Sequence, residues 1–337
     1  MRVLVTGGAG YIGSHTCLRL LEAGHEVHVV DDLSNSSRVA LERVATLTGC
    51  AVPLTVADVR DESVLDQVVT EFAPEAVIHF AGLKSVGESV AQPLRYWQVN
   101  VDSTMALLAV MERHDVRRLV FSSSATVYGT PGALPIDETA PVGVGISNPY
   151  GRTKFVIEQL LEDLALSDAP WEFVSLRYFN PVGAHASGRI GEDPRNIPNN
   201  LAPYVTQVLA GRLEELSVFG DDYGTADGTG VRDYVHVMDL ADAHLAALEN
   251  CAPGFDAVNV GTGRGTSVLE LVAAFERVSG RPVPLRVTER RPGDVAACYA
   301  DVSKARRLWG WTASHSIEEA CADAWRWQQD NPQGFLS

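Results

Sequence analysis

Val3-Leu4-Val5-Thr6-Gly7-Gly8-Ala9-Gly10-Tyr11-Ile12-Gly13 stands at the start of this chain, and everything else is read outward from it. A short β-branched run enters a GxxGxxG turn that opens a helix. Glycines at Gly7, Gly10 and Gly13 allow a tight turn and close backbone approach, so a pyrophosphate can lie against free amides at the positive helix end. The next apolar run ends at Asp31, 18 residues beyond Gly13. There a carboxylate can accept hydrogen bonds from adenosine ribose hydroxyls; the plainer reading is a solvated acid at a strand end. Asp31 and its neighbour Asp32 would repel a 2′-phosphate, which favours NAD over NADP. Asp58, closing a third apolar run, is placed to take the adenine amine or simply starts an exposed loop.

The same rhythm continues. Val3 to Thr6, Val27 to Asp31, Val52 to Asp58, Val77 to Phe80 and Leu119 to Ser122 read as strands; Ser14 to Ala23, Val64 to Phe72, Leu94 to Glu112 and Tyr150 to Leu164 read as helices. In the last helix Val156, Leu160 and Leu164 fall four apart, with Ile157 and Leu161 beside them, a face fit to cover a sheet. Alternation of this kind predicts an α/β fold with a doubly wound parallel Rossmann sheet. From Pro181 onward Gly, Pro and Asn-rich segments such as Pro181-Val182-Gly183-Ala184 and Ile197-Pro198-Asn199-Asn200 mark a smaller, mixed α/β C-terminal substrate domain. We therefore expect residues 1–180 to bind cofactor, with a returning segment about 234–262 that carries the strand-like Asp256 to Val260, and the rest of 181–337 to bind substrate. No internal repeat or low-complexity tract stands out.

At 337 residues and 46% apolar content the chain can bury a large core, and its net charge of -16 disfavours nucleic acid and anionic lipid as partners. Cys17, Cys50, Cys251, Cys298 and Cys321 show neither CxxC spacing nor a paired framework, which suits a reducing compartment and hence the cytoplasm. Met1 to Val5 is too short an apolar run for a signal peptide, and no later run could span a bilayer. No metal site is expected.

Tyr150 and Lys154 stand four apart at the start of a helix, one turn apart on one face. A tyrosine is a poor base at neutral pH, but a nearby ammonium and the positive nicotinamide ring would both favour its phenolate. Tyr150 could then take a hydroxyl proton as hydride leaves for NAD, while Lys154 holds the nicotinamide ribose. A lone YxxxK is common on surface helices. Here Phe121-Ser122-Ser123-Ser124-Ala125-Thr126-Val127-Tyr128-Gly129 follows a strand toward the cofactor edge, and Ser124 can share the proton. Ser122 and Ser123 read as caps of the following turn.

Together these residues resemble the UDP-glucose (UDP-galactose) 4-epimerases, extended members of the short-chain dehydrogenase/reductase superfamily. The resemblance spans essentially the whole chain. It rests on VTGGAGYIGSHT at 5–16, HFAGLKSVGESV at 79–90, FSSSATVYG at 121–129, NPYGRTK at 148–154, RYFNPVGAH at 177–185, IPNNL at 197–201 and GTGVRDYVHVMDLADAH at 228–244. The serine segment is unlike the acid-containing TDE type of nucleotide-sugar 4,6-dehydratases. What the resemblance implies is an isomerase: C4 of a UDP-hexose is oxidised to a ketone, the sugar turns over, and bound NADH reduces its other face.

By the same resemblance Tyr11 and Ile12 approach the pyrophosphate, Phe80, Ala81, Gly82 and Lys84 line the cofactor, and Phe179 sits by the nicotinamide. Asn35, Val59, Asn100 and Ser122 are further implied cofactor positions. Related epimerases often carry Asn where this chain has Val99, so a contact there must be lost or come from backbone. On the substrate side the implied set is Lys84, Ser124, Thr126 and Tyr150, with Asn180, Asn200 and Leu201 as amide donors. Arg232 and Arg291 are implied for the diphosphate, Ser217 and Phe219 for uracil, and Asp294 for a ribose hydroxyl; singly, each arginine reads as a surface ion-pair partner and Phe219 as core. In RRPGDVAACYAD, Cys298 occupies the place beside the hexose where a tyrosine goes with enzymes confined to UDP-glucose and UDP-galactose. Its smaller side chain leaves room for an N-acetyl group, unless neighbours refill the gap. A UDP-glucuronate or UDP-pentose 4-epimerase and a catalytically idle NAD-binding regulator are the competing readings. A homodimer through Leu94 to Glu112 and Tyr150 to Leu164 is expected, with Met105, Leu108, Val156 and Leu160 available to a partner.

Overall fold

The computed structural model describes residues 1–195, 198, 200–291 and 293–336. Expectations that fall on Ile197 and Asn199 in IPNNL, and the Pro292 position of RRPGDVAACYAD, lie outside the described residues. The first half runs β1 (Arg2–Thr6), α1 (Tyr11–Glu22), β2 (Glu26–Asp31), α2 (Arg38–Thr48), β3 (Leu54–Val56), α3 (Glu62–Phe72) and β4 (Ala76–His79). It continues through α4 (Val86–Ala91), α5 (Pro93–Tyr96), a π turn (Trp97–Val101), α6 (Asp102–Arg113), β5 (Arg118–Ser124), a 3-10 turn (Ala125–Tyr128), α7 (Pro149–Ala165) and β6 (Glu172–Tyr178). Local chemistry fixes many of these ends. Ser37 caps α2 and Asp61 accepts two amides at the start of α3, while Gly49 closes α2 in the left-handed conformation.

After β6 come β7 (Asn180–Val182), α8 (Leu201–Leu209), β8 (Leu216–Phe219), β9 (Val231–Arg232), β10 (Tyr234–His236), α9 (Val237–Glu249), β11 (Gly254–Val260) and β12 (Thr266–Ser267). The last elements are α10 (Val268–Ser279), β13 (Leu285–Thr288), β14 (Ala297–Cys298), α11 (Ser303–Trp309) and α12 (Ile317–Asp330). Seven strands form one sheet in the order β11-β6-β5-β4-β1-β2-β3, every neighbour parallel. This is a doubly wound Rossmann sheet. Its order reverses between β1 and β4, which opens a crevice at their carboxyl ends.

Alternate residues of each strand feed opposite faces of the sheet. Val3, Val5, Val29 and Ile78 pack with α1, α2 and α9 on one side, while Leu4, Val30, Val77 and Phe121 pack with α3, α6 and α7 on the other. Trp311, Trp327 and Phe335, from the far end of the chain, join the first cluster. A third cluster, including Val205, Leu216, Leu271, Phe275 and Trp325, gathers α8, α10 and α12 against short strands. Those strands pair as β10-β7, β12-β9-β14 and β13-β8. Among the described residues no helix is long and apolar enough to cross a membrane.

Two expectations need correction. Leu94 to Glu112 is one helical run but not a regular α-helix: the π turn at Trp97–Val101 joins α5 to α6 without a break, and Asn100 within that turn is buried. A π turn takes one extra residue, which hydrophobic spacing does not reveal. The buried stripe of α7 is also rotated from the Val156-Leu160-Leu164 line. Tyr150, Lys154, Ile157, Glu158 and Leu161 face inward, while Val156 is 36% exposed. Of the residues expected to serve a partner, Met105 is 54% exposed and Leu108 is buried in the core.

The two faces of α7 differ enough to be measured. Ile157→Ala opens a cavity in the core and should cost about 2–5 kcal/mol of unfolding free energy, whereas Val156→Ala should stay within about 1 kcal/mol. Denaturant midpoints of the two variants check this; equal losses would contradict the assigned face.

Candidate active site

The glycine turn leaves room for backbone and nothing more. A Cβ on Gly7 would come within 2.6 Å of the Ala81 amide nitrogen, and Gly7 also takes a positive φ of 71°. A Cβ on Gly13 would lie 2.4 Å from the Gly7 carbonyl oxygen. Gly10 is the N-cap of α1, and no side chain caps that helix. First-turn amides at Tyr11 and Ile12 therefore face the crevice edge without a side-chain acceptor, the arrangement a pyrophosphate fits.

Asp31 is buried at the end of β2. One carboxylate oxygen accepts from the Ala9 amide at 3.0 Å, and the other from the Leu33 amide at 2.9 Å and the Ser36 hydroxyl at 2.7 Å. Burial pushes its pKa up, and these three donors oppose that shift. The carboxylate is thereby fixed against the glycine turn. Asn35 is exposed on the following loop and Val59 is buried after β3. Asp58 ion-pairs with Arg60 at 2.5 Å. Phe80 follows β4 with its ring 4.7 Å from that of His244. Asn100 is committed inside the chain: it accepts from the Leu83 amide and donates to the Leu83 carbonyl and the Thr153 hydroxyl. It brackets the Gly82 loop to α7, with Gly82 so close that a Cβ would be 3.1 Å from its oxygen.

At the carboxyl end of β5 and the start of α7 three expected residues meet. The Lys154 ammonium donates to the Ser122 carbonyl at 2.6 Å and lies 5.9 Å from the centre of the Tyr150 ring. Burial lowers the Lys154 pKa to about 7, and the Glu158 carboxylate opposes that fall. Burial also raises the Tyr150 phenol, with a hydrogen bond from its side chain to Ser124 pulling the other way. Burial is the larger of the two effects, so the folded chain without nicotinamide holds Tyr150 as the phenol. The serine segment is corrected. Ser122 and Ser123 belong to β5, hydrogen-bonding to the Tyr178 hydroxyl and to Glu158, and the turn cap is Ser124, which accepts from the Thr126 amide and hydroxyl.

Across the crevice, parallel pairing of β14 with β9 puts Cys298 directly opposite Arg232. Cys298 packs against the apolar cluster that includes Tyr128, Phe179 and Ala300, and burial raises its thiol to about 11, with Arg232 opposing. A thiol held neutral in this way does not favour a nucleophile's role. The Arg291 guanidinium stands 4.5 Å over the Phe219 ring and pairs with Asp294 at 3.0 Å. Ser217 lies two residues before Phe219 on β8, and Asn180 begins β7. Asn200 is the N-cap of α8 without using its side chain there, so amides from Leu201 onward also lack a side-chain cap. Instead Asn200 and Lys84 both donate to one oxygen of Glu192, at 2.9 Å and 3.1 Å.

A family model described as "NAD dependent epimerase/dehydratase family" matches residues 3–261. The chain belongs to that family. It is 58% identical over 339 residues to the UDP-glucose 4-epimerase of Bacillus subtilis, covering 100% of this chain and 99% of that protein. To the UDP-glucose 4-epimerase of Homo sapiens it is 55% identical over 344 residues, covering 99% and 98%. Its structure matches that of UDP-glucose 4-epimerase from Bifidobacterium longum in complex with NAD+ and UDP with a TM-score of 0.97, 53% identity and coverage of 99% and 100%. As a member of this epimerase family the chain is an NAD-dependent isomerase, and NAD is its cofactor.

Sequence reasoning missed four polar residues that hold this epimerase site together: Glu158, Arg177, Tyr178 and Glu192. A buried-face position carried the only signal for Glu158, which is one turn beyond Lys154. Nothing in the sequence marks Glu192 as the acceptor shared by Lys84 and Asn200.

Gly13→Ala should weaken NAD binding by at least about tenfold, about 1.4 kcal/mol, because the new methyl meets backbone that cannot yield. Gly87→Ala, where a Cβ meets nothing within 4 Å, should bind normally. Titration calorimetry on both compares them directly.

Proposed function

We propose that the chain interconverts UDP-galactose and UDP-glucose at C4, using Tyr150, Lys154 and Ser124 as its catalytic group. The observation that carries this reading is the buried Tyr150 phenol against the Ser124 hydroxyl, one helical turn from a buried ammonium, at the sheet edge beside an uncapped glycine turn. Bound NAD supplies a reversible acceptor for the C4 hydride and a positive nicotinamide ring. Ser124 bridges the sugar hydroxyl to Tyr150, whose phenolate would take the proton and, as the phenol, return it when the ketone is reduced. Lys154 orients the nicotinamide ribose, and its ammonium stabilises the phenolate once the site is filled. Asp31 takes the adenosine ribose, Phe179 borders the nicotinamide, and the amides of Tyr11 and Ile12 take the pyrophosphate.

The UDP group is held by Arg232 and Arg291, with Asn180, Asn200 and Leu201 as amide donors and Ser217 and Phe219 around uracil. A nucleotide gripped firmly and a hexose gripped loosely lets the 4-keto sugar present its other face before it is reduced. Residues 1–180 with 234–262 form the cofactor unit in this reading, supported by the place of β11 as seventh strand, and the remainder of 181–337 forms the UDP-sugar unit. Cys298, opposite Arg232 and against the cluster that includes Phe179, leaves space near the C2 substituent, so N-acetylated UDP-hexoses are also accepted. Val90, Leu94, Met105 and Val156, exposed apolar residues on α4 to α7, supply a homodimer face. The fold and charge suit a cytoplasmic enzyme.

Tyr150→Phe should lower turnover by about 10²–10⁴-fold with NAD still bound, measured by coupled assay of UDP-galactose conversion; near-parental turnover would remove Tyr150 from the mechanism. UDP-N-acetylgalactosamine should turn over at well above about a thousandth of the UDP-galactose rate, and Cys298→Tyr should cut that rate selectively. Product identification with UDP-glucuronate and UDP-pentoses separates the sugar preferences. Light scattering should give twice the chain mass, falling to one chain when Met105 and Val156 are both changed to Glu.

A further inference from the structure

Beneath the catalytic helix lies a buried charge cluster that the reaction scheme does not use. Glu158 and Arg177 are 1% and 5% exposed. The Arg177 guanidinium grips Glu158 with Nε at 3.0 Å and Nη2 at 2.6 Å. Its Nη1 donates to the Tyr128 hydroxyl at 3.1 Å, and that hydroxyl donates to Asn259 at 2.7 Å. The Ser123 hydroxyl donates to Glu158 at 2.5 Å. Ser123 stands in β5 between Ser122, whose carbonyl receives Lys154, and Ser124. One carboxylate thus touches the strand that presents both catalytic partners and belongs to the helix that presents the lysine.

Burying an ion pair is costly, and stability alone is a weak reason to keep one. We propose that Glu158 is a positioning residue for the reaction: its carboxylate, one turn beyond Lys154 on the buried face of the same helix and bonded to Ser123, sets the surroundings of the catalytic lysine and fixes the serine strand against the helix. This inference rests on the catalytic role given above to Tyr150 and Lys154. Other ionisable groups on neighbouring elements are committed elsewhere or carry no charge. His79 on β4 is held neutral, its pKa lowered by burial to about 3. Tyr178 on β6 and Tyr128 after β5 are raised by burial and stay protonated. Arg177 on β6 is taken by Glu158 itself. On α4 and α5, Glu88 pairs with Arg95 and accepts from Tyr96. Arg118 pairs with Glu172, and Asp256 of β11 with Lys304. Glu158, although it also pairs with Arg177, is the carboxylate that opposes the effect of burial on the lysine.

The sign of the effect follows. Burial pulls the lysine toward the neutral amine, and Glu158 resists; without the carboxylate the ammonium is lost at lower pH. Glu158→Gln keeps shape and acceptors but removes the charge. Glu158→Gln with Arg177→Met removes both charges, so that no lone guanidinium stays buried should the single variant fail to fold. In NAD-loaded protein, the alkaline limb of the kcat profile should move to lower pH by about half a unit or more in whichever variant folds. KM for UDP-galactose should change little, and Glu158→Asp should restore the limb in part. A profile that superimposes on the parent, with only thermal stability reduced, overturns the proposal. Tyr150→Phe run alongside keeps the two ideas apart: if it stays active the catalytic reading itself fails, and if it is inactive while the Glu158 profiles do not move, only this inference fails.

Discussion

A buried ammonium must find oxygen, and in this chain it finds the Ser122 carbonyl at the end of β5. That bond ties α7 to the sheet at the level where the strands end, and it fixes where the Tyr150 phenol and the Ser124 hydroxyl can stand. Helix and strand approach each other through small or polar residues there: a Cβ on Gly151 would come within 2.8 Å of Ile146 and 3.2 Å of Thr126. The glycine turn after β1 meets the same constraint from the other side, because Gly7 abuts the backbone of Phe80 and Ala81. Close packing at the sheet edge, more than any individual contact, sets the shape of the crevice.

A protein with a net charge of -16 that holds a diphosphate needs its cations placed with care. Besides Lys154, Arg232, Arg291 and Lys84 are the cations proposed to face the ligands, and two of these already have acidic partners, Asp294 and Glu192. Two uncapped helix ends, at Gly10 and Asn200, add amide donors without adding formal charge. Local dipoles can thus hold an anion that the surrounding field disfavours.

The sheet and most of the proposed chemistry were legible because they depend on short-range pattern. Glycine spacing, the acid ending β2 and the Tyr150 to Lys154 interval are each set within a few residues. What stayed hidden depends on distant partners. Glu158 on a helix reads as solvated until β6 brings Arg177 against it. Asn100 reads as free to reach a ligand until the π turn points it at Leu83 and Thr153. Ser122 and Ser123 read as caps because the sequence does not say how far β5 extends. The stripe of α7 was misplaced because polar residues, Lys154 and Glu158, occupy part of its buried face, while the apolar Val156 is left outside.

The order in which the sheet is filled constrains how the molecule is made. Its seventh strand, β11, comes after β7 to β10 and helix α9, and Trp327 and Phe335 close the same core that Val3 and Val5 begin. A growing chain emerging from a ribosome holds an unfinished nucleotide fold, with one sheet edge and one helical layer open, until almost its whole length has been synthesised. Early release, or a nick near the final helix, would strip cover from the first strand, so the opposite ends of the polypeptide share one fate.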